Sequence, residues 1–319
     1  MSDLPITAAF GDYDRTVALR TGDARAAGID LRMLTMSPTD IFRRMCQGME
    51  FDASEMSMGA HLYLTGTGDS PFVGMPAFPS RAFRHSMVYA HVDSGIDSAE
   101  DLNGKRIGIR EWGMTAVVWI VGILAEEHGL DLKTVDWVAS IPPRVPIPMP
   151  DGAGIRYVRD GENMSDLLDS GELDALLTHH EPKCFAQGSP RVRRVFADYA
   201  QAERDFYQRT KLHPIMHCAV LRRDIYERNA WALRSLYDAL CDARDHAAKE
   251  ILKTGTLSAM VPFLPHAMDD AREMFGEDWW PYGLEANHEC LSRMARYAHE
   301  QGLTPRVVAA EELFGETVR

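Results

Sequence analysis

Ser98-Ala99-Glu100-Asp101-Leu102-Asn103-Gly104-Lys105-Arg106-Ile107-Gly108-Ile109 reads as one helical turn, an Asn-Gly reversal and then a strand. The character of the chain changes at this stretch, because a second series of strands and helices opens on it. Downstream, Val117, Val118, Ile120, Val121, Leu124 and Ala125 recur at helical spacing, which predicts a helix over Thr115 to His128. Upstream, Ile6 to Phe10 reads as a strand closing on Gly11, with a helix beginning near Asp12 to Asp14. Asp30 to Leu34 is a second strand, and Ser37-Pro38 an N-cap followed by proline that opens a helix through Gln47. Ala53 to Met58 is a third strand, Gly59 to Leu64 a short helix and Met87 to His91 a further strand. Val192 to Phe196 and Ile215 to Leu221 read as later strands, the second a return strand. Ala230 to Leu252 and Leu284 to Gln301 read as long amphipathic helices. Strands alternating with helices predict an α/β architecture. The expected layout is lobe one from 1 to 92 plus 212 to 319 and lobe two from 93 to 211, with a ligand cleft between the lobes. The proline-dense stretch Pro142 to Pro150 fits an extended surface or inter-subunit arm, which is compatible with a homo-oligomer.

The chain has 319 residues, 45% hydrophobic and 25% charged, in the range of globular proteins. Its net charge of -13 argues against nucleic acid as a partner. An anionic small molecule would also be repelled by that overall field, so it would need a local basic pocket. No apolar run reaches 18 residues, and Met1-Ser2-Asp3-Leu4-Pro5 has no secretory character, so no membrane association is expected. The five cysteines, Cys46, Cys184, Cys218, Cys241 and Cys290, are scattered without Cys-x-x-Cys pairs. A reducing, cytoplasmic location is the expectation.

Three segments carry candidate chemistry in lobe one and its boundaries. Phe78-Pro79-Ser80-Arg81-Ala82-Phe83-Arg84-His85-Ser86 places two guanidinium groups and an imidazole directly before an apolar run. Arginine forks bind carboxylates bidentately, and histidine moves protons near neutral pH. In Asp12-Tyr13-Asp14-Arg15, either Asp12 or Tyr13 suits phenolic hydroxyls and Arg15 a carboxylate. The plainer alternative is that Asp12 or Asp14 caps the helix. In His213-Pro214-Ile215-Met216-His217, proline and a strand-like run speak against a helical metal pair, leaving His217 either a core residue or a site residue.

Lobe two offers Glu111-Trp112-Gly113-Met114-Thr115, where Trp112 suits an aromatic ring and the amides before Thr115 an anion. It also offers Thr178-His179-His180, with His179 the binding candidate. No dedicated metal site, nucleotide loop or hydrolase elbow is present in the sequence, so no metal and no cofactor are expected.

Phe78 to Ser86, Gly11-Asp12-Tyr13-Asp14-Arg15-Thr16, Phe51-Asp52-Ala53-Ser54-Glu55-Met56-Ser57, Pro214-Ile215-Met216-His217 and Trp280-Pro281-Tyr282-Gly283 resemble the 4,5-dihydroxyphthalate decarboxylase family. The resemblance runs from about Ile6 to Phe314. It implies a two-lobed type 2 periplasmic-binding-protein-like fold. It also implies cofactor-independent loss of carbon dioxide from 4,5-dihydroxyphthalate or a related hydroxylated aromatic acid, giving 3,4-dihydroxybenzoate. Such a reaction needs a proton donor at the carbon bearing the carboxylate, a partner for the hydroxyls and a clamp for the second carboxylate. His85 or His217 is then the donor, Arg81 and Arg84 the clamps, and Asp12 or Glu111 the hydroxyl partner. The alternative is a non-catalytic solute-binding protein delivering an aromatic or sulfonated acid to an ABC transporter.

Overall fold

The computed structural model describes residues 3–318 except 144, 146 and 148–153. In chain order the elements are β1 (Leu4–Phe10), α1 (Asp14–Thr21), β2 (Ile29–Thr35), α2 (Pro38–Gly48), β3 (Ala53–Ser57), α3 (Met58–Thr67), β4 (Phe72–Arg81) and β5 (Val88–His91). Next come β6 (Arg106–Ile109), α4 (Thr115–His128), β7 (Asp136–Ala139), β8 (Ile155–Tyr157), α5 (Met164–Asp169), β9 (Ala175–Leu177), α6 (Lys183–Ala186), β10 (Val192–Arg194) and α7 (Tyr199–Thr210). The chain continues with β11 (Ile215–Arg222), α8 (Arg223–Arg228), α9 (Ala230–Ile251), α10 (Leu264–Phe275) and α11 (His288–Glu300). This is an α/β protein, as the alternation predicts.

The chain divides into two compact units, Met1–Arg81 with His217–His288 and Ala309–Arg319, and Ala82–Met216 with Glu289–Val308. The first holds a five-stranded mixed sheet in the order β2-β1-β3-β11-β4. β1 runs parallel to β2 and β3, while β11 returns antiparallel to β3 with His217 opposite Ser57. β3 is central, and its residues Ala53 to Met56 are all buried, so it has no solvent-facing side. β4 is an edge strand, which is why it tolerates Pro76 and Pro79. The second unit holds a six-stranded sheet in the order β10-β5-β9-β6-β7-β8. Its α4 is buried at every residue from Thr115 to Leu124, as befits a helix apolar all round.

Phe78 to Arg81 are the last four residues of β4; a short 3-10 turn, His85–Met87, then leads into β5. The fixed φ of Pro79 suits an extended edge strand as well as a loop. Helix α10 has no counterpart in the sequence reading, because its buried side is only Leu264 and Met268. In the proline-rich stretch, residues 144, 146 and 148–150 lie outside the described residues, while Val145 and Ile147 are buried.

A C-terminal segment completes the first unit. Gly74 bridges Phe314, Gly315 N–H donates to the Gly74 carbonyl at 3.0 Å, and His61 Nε2 bonds the Leu313 carbonyl at 2.7 Å. A Cβ on Gly74 would sit 2.2 Å from the Leu313 carbonyl oxygen, so backbone must move to admit any side chain. Gly74→Ala is therefore expected to destabilise the protein by about 3 kcal/mol in urea unfolding. A loss below about 0.5 kcal/mol, the scale of neutral surface changes, contradicts this packing.

Candidate active site

In the first unit the centre is Glu55. It has no solvent exposure, and its carboxylate accepts the Gly11 N–H at 2.9 Å and the Tyr13 hydroxyl at 3.1 Å. His217 Nδ1 lies 3.3 Å from Oε2 of the same carboxylate. Strand pairing explains the convergence. Glu55 rises from the central strand, Gly11 directly follows β1 beside it, and β11 brings in His217 from the antiparallel side. A ring nitrogen held by a carboxylate fixes which nitrogen carries the proton, and Nε2 is then left for other chemistry. Phe42 meets the imidazole edge-on at 4.8 Å and limits its rotation.

Tyr13 reaches Glu55 only because position 11 has no side chain. A Cβ there would lie 2.6 Å from the Tyr13 ring. Burial first, then the charge and hydrogen bond of Glu55, push Tyr13 ionisation far above the usual tyrosine range. Its hydroxyl therefore stays a donor. Arg15 stacks between the rings of Tyr13 and Trp280, at 4.3 and 4.6 Å. Its Nε donates to the Pro79 carbonyl at 2.5 Å, which orients the remaining guanidinium edge.

Asp12 and Arg81 do not join this group. Asp12 faces solvent and pairs with Arg20 at 2.9 Å, because the chain turns the Tyr13 side chain inward instead. Nor does an aspartate cap α1: Tyr13 occupies the N-cap position without a side-chain bond, and Asp14 accepts the Arg15 N–H. Arg81 is buried, and its Nη2 donates to the Pro281 carbonyl at 2.7 Å and to Asn287 Oδ1. It ties β4 to the Trp280-Pro281-Tyr282 connection.

In the second unit Arg84 is the notable cation. Its contacts are the Met216 sulfur at 3.3 Å from Nε and the His179 carbonyl at 3.5 Å from Nη1. Among the described residues no carboxylate forms an ion pair with it. Burial lowers its pKa to about 10, opposed by the Glu203 charge, so it remains a cation at neutral pH. Glu203 accepts the Ser86 N–H at 3.1 Å, and burial raises its own pKa. His179 packs its ring edge-on against His180 at 4.4 Å.

His85 is packed against Phe196 and Phe206, at 5.2 and 5.3 Å between ring centroids. The cavity it shares with Arg84, Val88 and Phe196 offers about 10 Å³, too little for an aromatic ring. Burial above all, then His128 and Arg209, lowers its pKa to about 4. Below pH 6.5 the unfolded chain takes up the proton first, so stability falls as pH drops towards 4. His85→Leu is expected to remove about 3 kcal/mol of that acid-side loss, seen as a flatter dependence of urea midpoints between pH 7 and 4. Equal slopes in both proteins contradict the buried neutral imidazole.

Glu111, Trp112 and Thr115 are buried between β6 and the start of α4. Trp112 meets Trp137 edge-on at 5.4 Å and is 1% exposed, packed in the core of its unit. No group of three or more His, Cys, Asp or Glu among the described residues is arranged to hold a metal. No helix is long and apolar enough to cross a membrane.

The chain is 35% identical over 320 residues to 4,5-dihydroxyphthalate decarboxylase of Comamonas testosteroni, covering 98% of this chain and 97% of that one. It is 36% identical over 214 residues to 4,5-dihydroxyphthalate decarboxylase of Pseudomonas putida, covering 65% and 83% of the two chains. The chain belongs to the 4,5-dihydroxyphthalate decarboxylase family. No family model matches it. Its fold is that of periplasmic sulfonate-binding proteins. The SsuA proteins of Methylobacillus flagellatus and Escherichia coli superpose with TM-scores of 0.58 and 0.56 at 14% and 13% identity. Those superpositions cover 99% of this chain in both cases, and 92% and 93% of the SsuA chains.

Within this decarboxylase family member, the residue that sequence reasoning missed is Glu55. It stands inside the quoted stretch Phe51 to Ser57, and a charged residue in an otherwise small and apolar strand was the available signal.

Proposed function

We propose that this protein decarboxylates 4,5-dihydroxyphthalate or a related hydroxylated aromatic acid, with His217 as the proton donor. The observation that carries the assignment is the buried Glu55 carboxylate holding His217 Nδ1. An imidazolium paired in this way presents its Nε2 proton as the general acid. His85, packed between two phenylalanines with a pKa near 4, is neutral at pH 7 and poorly suited to that task.

Direct departure of carbon dioxide would leave an aryl anion of prohibitive energy. Protonation of the ring carbon bearing the carboxylate avoids it. The ring supplies the electron pair for the new C–H bond, and the hydroxyl para to that carbon, losing its proton, spreads the positive charge that results. The carbon–carboxylate bond then breaks, its electron pair returns to the ring, and neutral carbon dioxide leaves. The phenol regains a proton and His217 is reprotonated from solvent, so one proton is consumed for each carbon dioxide released. The substrate's own hydroxyl serves as the electron reservoir, and the route needs no further cofactor.

Arg84, a half-buried cation lacking an ion-pair partner among the described residues, is suited to a substrate carboxylate, as is the aromatic-stacked Arg15. Glu111, Thr115 and His179 remain candidates for the substrate's other polar groups. A cytoplasmic location is part of the proposal, in line with five cysteines that form no disulfide. Incubation with 4,5-dihydroxyphthalate should release carbon dioxide and 3,4-dihydroxybenzoate in equal amounts. Tight binding of the acid without any carbon dioxide would overturn the enzymatic reading in favour of a binding protein.

A further inference from the structure

We infer that Tyr13, seated over Gly11, is a positioning residue that keeps Glu55 an oriented carboxylate for His217, rather than a residue that binds the substrate's hydroxyls. This rests on the proposed role of His217. The hydroxyl of Tyr13 points at both carboxylate oxygens of Glu55, at 3.1 and 3.4 Å, and the Gly11 N–H takes Oε1 at 2.9 Å. Donors on one side of a buried carboxylate stabilise its charged form and fix its plane. His217 Nδ1 then meets Oε2 at 3.3 Å.

A hydroxyl whose one proton is committed to a buried carboxylate cannot donate to a phenolic substrate. The Tyr13 proton cannot be passed on either, because the neighbouring Glu55 charge and burial both oppose tyrosinate. Tyr13 is thus a lock, not a relay. The other charged or titratable groups near this pair are Arg15, stacked on the Tyr13 ring, Tyr282, which acts on Tyr13, and Cys218, which feels Glu55. Cys218 is fully buried and neutral, its thiol pushed far above the ordinary range by burial.

Tyr13→Phe keeps the ring and its stack on Arg15 while removing the donor. We expect kcat to fall about tenfold with KM within about threefold. In the resting protein labelled with 15N in histidine, the ring nitrogens of His217 should report a single tautomer in the parent and a mixture of the two in Tyr13→Phe. That readout needs no turnover. Loss of the single tautomer in a protein that releases no carbon dioxide would therefore retain the lock and discard only the decarboxylase reading. Gly11→Ala, whose Cβ collides with the Tyr13 ring, serves as the second variant and should reproduce both changes. An unchanged His217 tautomer pattern in either folded variant overturns the inference. A raised KM with unchanged kcat in Tyr13→Phe does so too, and returns the hydroxyl to the substrate.

Discussion

His217→Asn is expected to lower turnover by ~100- to 10,000-fold, the usual span for loss of a general acid. Affinity for the substrate should change less than about threefold, because the proton is delivered only in the transition state. Asparagine preserves a polar group of similar reach at the mouth of the Glu55 carboxylate, so the buried charge is not stranded. In heavy water the parent enzyme should place one deuterium on the ring carbon that lost its carboxylate. The matching His85→Asn variant tests the competing assignment with the same assay. Retention of near-normal turnover by folded His217→Asn would remove it as the acid, and collapse in His85→Asn alone would transfer the role.

The second large effect belongs to Arg84. Arg84→Met keeps an unbranched stem against Met216 while deleting a cation that has no carboxylate partner among the described residues. Affinity for a dicarboxylate should weaken by ~2–5 kcal/mol, the range for truncating one side of a desolvated charge pair. The charge itself is lost as pH rises through about 10, so binding by the parent should weaken in the same window. Arg81 gives the contrast. Its guanidinium is bonded to Asn287 and Pro281, so Arg81→Met is expected to cost stability before affinity. Titration calorimetry giving equal affinities for parent and Arg84→Met would exclude Arg84 from the binding surface.

Local signals were legible in this sequence, and long-range ones were not. Helix α4 begins at Thr115 and ends at His128 as its apolar spacing predicts, and Ser37 caps α2 by accepting the Asp40 N–H. Both facts depend on residues within a few positions of one another. The direction of the Asp12 and Tyr13 side chains depends instead on the absent side chain at Gly11 and on Glu55, more than forty residues away. The two histidines looked alike in sequence, each beside a candidate segment. They were separated by Phe196 and Phe206 closing over one and by Glu55 meeting the other. Two arginines three positions apart likewise part company, because Arg81 ends β4 facing Asn287 and Arg84 lies beyond the strand.

The docking of Leu313 to Gly315 against β4 has a consequence for biosynthesis. The first unit is assembled from segments at both extremes of the chain, and residues 309–318 leave the ribosome after everything they pack upon. Until then the edge of β4 at Gly74 has no cover from that segment, and an uncovered strand edge recruits other strands. A nascent chain stalled before residue 309 should consequently be held by chaperones or pair with its neighbours on a polysome, while emergence of residues 309–318 lets the strand close. Loss of this segment would be punished far more heavily than its shortness suggests.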